Sequence, residues 1–122
     1  RAIGSGIDMF DCVLPTRNAR NGQALCWNGR VNLKQSRHRN DPAPIDPECP
    51  CPVCTTFSRA YLRHLFAAGE MLGPRLLTQH NLFFYQELTR AARVAIRAGR
   101  YNAFAREAEE RMLTRDEVKT AV

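Results

Sequence analysis

No run of apolar residues in this sequence approaches the ~20 needed to cross a membrane as a helix. No secretory apolar region is present either, so the expectation is a soluble, cytoplasmic protein whose thiols stay reduced. Acidic residues are absent from the whole of residues 17–39, which carry Arg17, Arg20, Arg30, Lys34, Arg37 and Arg39. That gap concentrates the net charge of +6 and makes a polyanion the natural partner, with a solvated basic loop as the plain alternative. Also lacking is a second strand to match Met9-Phe10-Asp11-Cys12-Val13-Leu14, which reads as a strand apolar on both faces, the pattern of a central strand in a parallel sheet. The 122 residues open at Arg1 without a methionine and carry no internal repeat. The expectation is at most one domain, a cropped C-terminal piece of a larger α/β protein.

What is present in excess is sulfur at close quarters. Cys49-Pro50-Cys51-Pro52-Val53-Cys54 places three cysteines within six residues, with His80 downstream. Five cysteines is an odd count, and neighbours as close as Cys49 and Cys51 make a poor bridge, so a bound metal is expected rather than disulfides. Thiolate and imidazole in a set of four suit tetrahedral zinc at a closed structural site, and Pro50 and Pro52 stiffen the loop that gathers the sulfurs. For the fourth ligand, Thr55 and Thr56 read as a helix cap, which carries His64 about 15 Å up a helix and away from the sulfurs. Gly69 ends that helix, and the following segment returns antiparallel to deliver His80. His38 stays open as an alternative, although its basic loop better suits a phosphate contact. Structural zinc does not by itself name a function.

Around the cluster the chain reads as follows. Residues 15–22 form a polar loop, and Asn28-Gly29 turns a short ribbon of residues 24–27 and 30–33. Five prolines between positions 41 and 52 make an extended connector into the metal site. A helix is expected from about Thr56 to Ala68, a second segment ending near His80, and a third helix from about Asn81 with Phe84, Leu88, Ala91, Ala92 and Ala95 on one stripe. Arg90, Arg93, Arg97 and Arg100 line its other side as a solvated face or a phosphate-facing one. From Arg106 onward the apolar period is lost, which predicts a frayed helix or a disordered tail.

Asp11 stands on the apolar strand just before Pro15 and the basic loop. A carboxylate at the C-terminal edge of a parallel strand is where barrel enzymes place catalytic groups, and loop anchors or helix caps occupy the same position. Position alone leaves both open.

The run Gly4-Ser5-Gly6-Ile7-Asp8-Met9-Phe10-Asp11-Cys12-Val13-Leu14-Pro15-Thr16-Arg17-Asn18-Ala19-Arg20, the Arg37-His38-Arg39 region and the three cysteines with His80 resemble the bacterial tRNA-guanine transglycosylases, also called queuine tRNA-ribosyltransferases. The resemblance runs from Ile3 to about Phe104, the C-terminal third or so of such an enzyme. It implies an α/β fold: the C-terminal portion of an irregular (β/α)8 barrel with an inserted zinc subdomain built of a short antiparallel hairpin plus helices. Residues 1–22 would be the last barrel strand and the catalytic and tRNA-recognition loop, 23–80 the zinc subdomain, 81–105 the C-terminal barrel helix and 106–122 a charged tail.

The resemblance further implies that Asp11 is the nucleophile that displaces the wobble guanine of tRNA. A covalent ribosyl-aspartate would form, and an incoming 7-deazaguanine base would then resolve it during queuosine biosynthesis. It implies RNA contacts from Thr16, Arg17, Asn18, Ala19 and Arg20, one structural zinc on Cys49, Cys51, Cys54 and His80, and a homodimer. The isolated chain is expected to be inactive, with the base pocket and a second catalytic aspartate upstream of Arg1. The sequence departs from the family's usual residues at Cys26 and Gln79. The competing readings are a noncatalytic zinc-containing tRNA-binding module and a partner subunit of the same family. Asp11 discriminates, because a binding-only protein needs no nucleophile there.

Overall fold

The computed structural model describes the backbone of residues 1–121 and the side chains of residues 1–112. A short 3-10 turn, Ile3–Ser5, precedes helix α1 (Leu14–Arg20), which leads into strands β1 (Gln23–Cys26) and β2 (Gly29–Asn32). A second 3-10 turn, Ser36–His38, and an irregular connector follow, then α2 (Pro52–Thr56), α3 (Arg59–Ala67), α4 (Leu72–Arg97) and α5 (Tyr101–Ala121). The two strands form one antiparallel ribbon in the register Gln23↔Asn32 to Cys26↔Gly29. No helix is long and apolar enough to cross a membrane among the described residues.

Helix α4 is the spine. Its 26 residues span roughly 39 Å. Gly73, Leu77, His80, Asn81, Phe84, Ala92 and Ala95 are buried along it, at steps of three and four wherever the chain packs on it. One core collects Ala19, Ala24, Val31, Leu33, Ile45, Val53, Leu62, Leu65 and Leu77 together with Cys26, Cys51 and Cys54, so the sulfurs sit inside the hydrophobic centre. Close packing of α3 on α4 depends on Gly73, where a Cβ would lie 3.3 Å from the Leu65 Cβ. Trp27, at the ribbon's turn, packs edge-on against Phe84 of α4 at 5.4 Å and Phe104 of α5 at 6.4 Å. Arg111 of α5 reaches back to Glu48 at 2.7 Å and to the side-chain oxygen of Asn28 at 3.1 Å, tying α5 to the ribbon and the connector.

The ribbon and the stop at Gly69 match the sequence reading. Gly69 donates to Phe66 O and Glu70 to Leu65 O, a Schellman closure of α3, and Gly99 with Arg100 closes α4 in the same way. The ribbon's two-residue loop is Trp27-Asn28, one residue earlier than the expected Asn28-Gly29 turn, and within it no residue has a positive φ, which falls instead on Gly29 (103°).

Four expectations are corrected. Residues 7–13 form no strand, since among the described residues the only sheet is the two-stranded ribbon and no strand lies alongside to form a ladder with them. Met9 is 89% exposed and Phe10 50%. The stretch read as a loop from Pro15 is helix α1, because proline in the first turn loses no hydrogen bond and pre-sets the helical φ. The helix expected over Thr56 to Ala68 is two helices. Phe57 is extended and stacks on Tyr61 at 5.3 Å, and Ser58, rather than a threonine, caps α3 by accepting the Tyr61 N–H. The two segments expected to meet at His80 are one continuous α4, since no glycine or proline interrupts residues 75–97. The stretch read as a charged tail is helical in backbone to Ala121, and the side chains of 113–122 lie outside the described residues.

Candidate metal centre

The metal loop is shaped by its own backbone. Asp46, itself buried, accepts the Glu48 N–H on its carboxylate at 2.9 Å and the Cys49 N–H on its carbonyl at 3.1 Å, which turns Cys49 inward. Cys51 is then the cap of α2, its sulfur accepting the Cys54 N–H at 3.4 Å. Pro52 opens the helix, so Cys51 and Cys54, three residues apart, face the same side.

Opposite them stands His80 in the middle of α4. Its Nδ1 lies 3.3 Å from Cys54 Sγ, 3.4 Å from Cys51 Sγ and 3.9 Å from Cys49 Sγ. Its Nε2 lies 3.1 Å from the Leu25 carbonyl, an acceptor only, so Nε2 carries the hydrogen and donates, leaving the Nδ1 lone pair aimed among the three sulfurs. The four candidate ligand atoms all fall within 4.8 Å of one another. A tetrahedral ion with metal–sulfur bonds of about 2.3 Å and a metal–nitrogen bond of about 2.0 Å needs edges of roughly 3.6–3.8 Å, close to this arrangement. Cys51 is fully buried, Cys54 and His80 nearly so, and Cys49 is partly exposed. The set could hold one metal ion.

Without an ion these groups titrate against each other. The hydrogen bond from Cys54, opposed by burial and helped by His80, holds the Cys51 thiol down at about 3. The same bond to Cys51, and burial, push the Cys54 thiol up. Burial works against a charge on His80, but Cys26, Cys49 and Cys51 outweigh it and push the imidazole up to about 12. The Cys51 and Cys54 thiols and the His80 ring therefore contend for protons in a buried space. A divalent cation would relieve that contest by replacing them.

The other histidines are elsewhere. His64 is exposed on α3. His38, the open alternative, is 2% exposed and outside the cluster; its Nδ1 stands 3.6 Å from the Asp41 carboxylate, and burial followed by Arg59 and Arg37 lowers its pKa. Buried in that way, it is not a phosphate contact either. Cys26 lies 3.9 Å from the Nε2 side of His80, outside the ligand set, and all five cysteines are unpaired by disulfides.

Asp11 is exposed on the irregular segment three residues ahead of α1. The five residues 16–20 divide on the helix: Arg17 and Arg20, one turn apart, point to solvent, Asn18 and Ala19 face the core, and Thr16 is half-buried with its hydroxyl donating to Val13 O. A residue that the sequence reading passed over joins this helix to the metal centre. Asn81, fully buried beside His80, accepts the Leu25 N–H at 2.9 Å and donates to Pro15 O and Gln23 O, each at 3.0 Å. Its signal in the sequence is a polar residue on the buried Leu77–Phe84 side of a helix, where an unbonded amide would be costly.

A family model described as Queuine tRNA-ribosyltransferase matches residues 1–114. Among curated proteins, the chain is 60% identical over 104 residues to a queuine tRNA-ribosyltransferase of Novosphingobium aromaticivorans, covering 85% of this chain and 28% of that protein. It is 64% identical over 106 residues to one of Sorangium cellulosum (86% and 27%) and 50% identical over 115 residues to one of Zymomonas mobilis (94% and 30%). The chain thus spans less than a third of the length of these relatives.

Proposed function

Because the chain belongs to the queuine tRNA-ribosyltransferase family, we propose that it carries the nucleophile, an RNA-contacting helix and the structural zinc site of a tRNA-guanine transglycosylase. In this reading residues 1–22 supply the segment that becomes the last strand of an irregular (β/α)8 barrel once neighbouring strands pair with it, followed by helix α1. Residues 23–80 form the zinc subdomain inserted in that barrel, 81–105 the barrel's C-terminal helical segment, made of the rest of α4 and the start of α5, and 106–122 a charged tail. Cys49, Cys51, Cys54 and His80 hold one Zn2+, and thiolate-imidazole chemistry in a closed set of four favours zinc in a structural role.

Asp11 attacks the anomeric carbon of the wobble guanosine; the carbon–nitrogen bond to guanine breaks and a ribosyl-aspartate ester forms. A 7-deazaguanine base then attacks the same carbon and frees the carboxylate, so two displacements retain configuration. Arg17 and Arg20 bind the flanking phosphates as point charges, and Thr16, Asn18 and Ala19 shape the helix that presents them. The partner is tRNA with a guanine at the wobble position, and the working enzyme is a cytoplasmic homodimer.

The observation that carries this reading is the exposed Asp11 three residues ahead of a helix whose solvent side holds two arginines. A carboxylate in that place has a ribose within reach of the same surface that takes the phosphates. A binding-only module would need the arginines and not the acid. The test is a chimera in which this chain replaces the matching segment of the Novosphingobium aromaticivorans relative. It should exchange guanine in tRNA, and the Asp11→Asn version should bind tRNA with little change and exchange none. Equal exchange by both versions, or none by the parent chimera, would contradict the reading.

A further inference from the structure

Asn81 is fully buried, and its amide spends its carbonyl and both of its N–H groups on the backbone of other elements. Its neighbour His80 donates to Leu25 O while Asn81 accepts from Leu25 N–H, so both peptide groups of one β1 residue are clamped by consecutive residues of α4. The remaining two bonds reach Gln23, at the start of β1, and Pro15, in the first turn of α1. Pro15 directly precedes Thr16 and Arg17 and stands four residues after Asp11. The chain from the metal ligand to that turn is therefore continuous: His80, Asn81, the carbonyl of Pro15.

We propose that Asn81 is a positioning residue that registers α1, and with it Arg17 and Arg20, against the metal centre, so that an intact metal site is read out as a correctly aimed RNA-contacting helix. The inference rests on the proposed function for the role of the arginines, and not for the bridge itself. A shape-matched apolar residue would fill the space but leave the carbonyls of Pro15 and Gln23 and the Leu25 N–H buried without partners, which frees α1 to shift. An aspartate would keep the Leu25 bond and set a charge against two carbonyl oxygens, a sharper form of the same fault.

The test uses the complete zinc-loaded chain. In the parent, the side-chain amide protons of Asn81 should be protected from exchange with water, and chelating the metal should remove that protection along with that of residues 15–25. Asn81→Ala and Asn81→Asp should keep one zinc per chain while amide exchange across residues 15–22 rises by about tenfold or more relative to α4. Both should weaken binding of an anticodon stem-loop RNA by about tenfold, and in an Arg17→Ala, Arg20→Ala background the same substitutions should cost no more than about twofold.

Three results would overturn the proposal. One is Asn81 protons exchanging at the solvent rate in the parent, which decides the matter even if neither variant folds. Another is unaltered exchange at residues 15–22 in both variants. The last is a loss of RNA affinity of the same size with and without the two arginines, the sign of a merely structural residue. A parent chain that binds no RNA would instead sink the role of the arginines, while the exchange measurements still decide whether the bridge positions α1.

Discussion

The metal centre and the N-terminal segment are joined through Asn81, yet they are built in opposite ways. At the centre, burial and bonding are both complete: His80 and Asn81 are at most 1% exposed, and each of their side-chain nitrogens and oxygens meets a partner. Over residues 7–14 the chain instead presents Ile7, Met9, Phe10, Val13 and Leu14 to solvent, and a cleft of about 470 Å3 remains between it and Tyr85, Leu88 and Thr89 of α4. The difference teaches what each region draws on. A metal site assembles from one loop and one helix of its own chain, whereas an apolar strand exists only where neighbouring strands take its N–H and C=O groups. In the proposed barrel those neighbours would cover the side chains that the isolated segment leaves bare.

The largest effect should come from the metal. Chelation, or Cys51→Ser, should remove stability on the order of several to 10 kcal/mol, read as loss of the cooperative unfolding transition in urea. Unchanged unfolding would place the stability elsewhere and erase the contrast. Next, Leu77→Ala, at a fully buried position beside the cluster, should cost about 2–5 kcal/mol, while Met9→Ala, in the exposed segment, should stay within about 0.5 kcal/mol. Equal costs would mean that the two regions are one cooperative unit. Arg17→Ala and Arg20→Ala should leave stability within about 0.5 kcal/mol and lower the salt dependence of RNA binding by about one phosphate contact each. An unaltered slope in both would mark α1 as an ordinary solvated helix.

The smallest effect concerns His38 and Asp41, the pair beside the connector. The folded pKa of His38 lies below its ordinary 6.5, so below that pH the unfolded chain takes up the proton more readily. Its contribution is present above the ordinary value and is lost as pH falls toward the folded one. Asp41, held low by the Ala43 N–H first and then by Arg59 and His38 against burial, loses its contribution only at more acid pH, below the ordinary carboxylate value of 3.8. Stability measured from pH 7.5 to 5.5 should therefore fall less steeply in His38→Gln than in the parent. Parallel profiles would remove the histidine from the acid response.

Much of the metal site was legible because its chemistry is local and rare: three thiols within six residues leave little else to propose. His80 was identified although the helices around it were not, since an imidazole returned by a helical segment needs only the right distance along the chain. The ribbon was readable from Asn28-Gly29, with its turn displaced by one residue to Trp27-Asn28. Less was readable wherever a residue serves two masters. Pro15 marks a loop start and a helix start equally well, and only the packing of Ala19 into the core decides between them. The apolar run at residues 9–14 carries a strand pattern whose realisation depends on partners no local rule supplies. Asn81 looked like a helix start and is instead a buried bridge, because hydrogen bonds to residues more than fifty positions away leave no mark on periodicity.

The most direct test of the functional reading is to trap the intermediate it requires. The chimera with the Novosphingobium aromaticivorans relative, mixed with tRNA and a tight guanine-like base, should give a protein–RNA adduct that survives denaturation. Its Asp11→Asn version, which keeps the size of the side chain but offers a neutral amide, should give none. An adduct of equal yield from the Asn version would assign the covalent bond to another carboxylate and contradict Asp11 as the nucleophile.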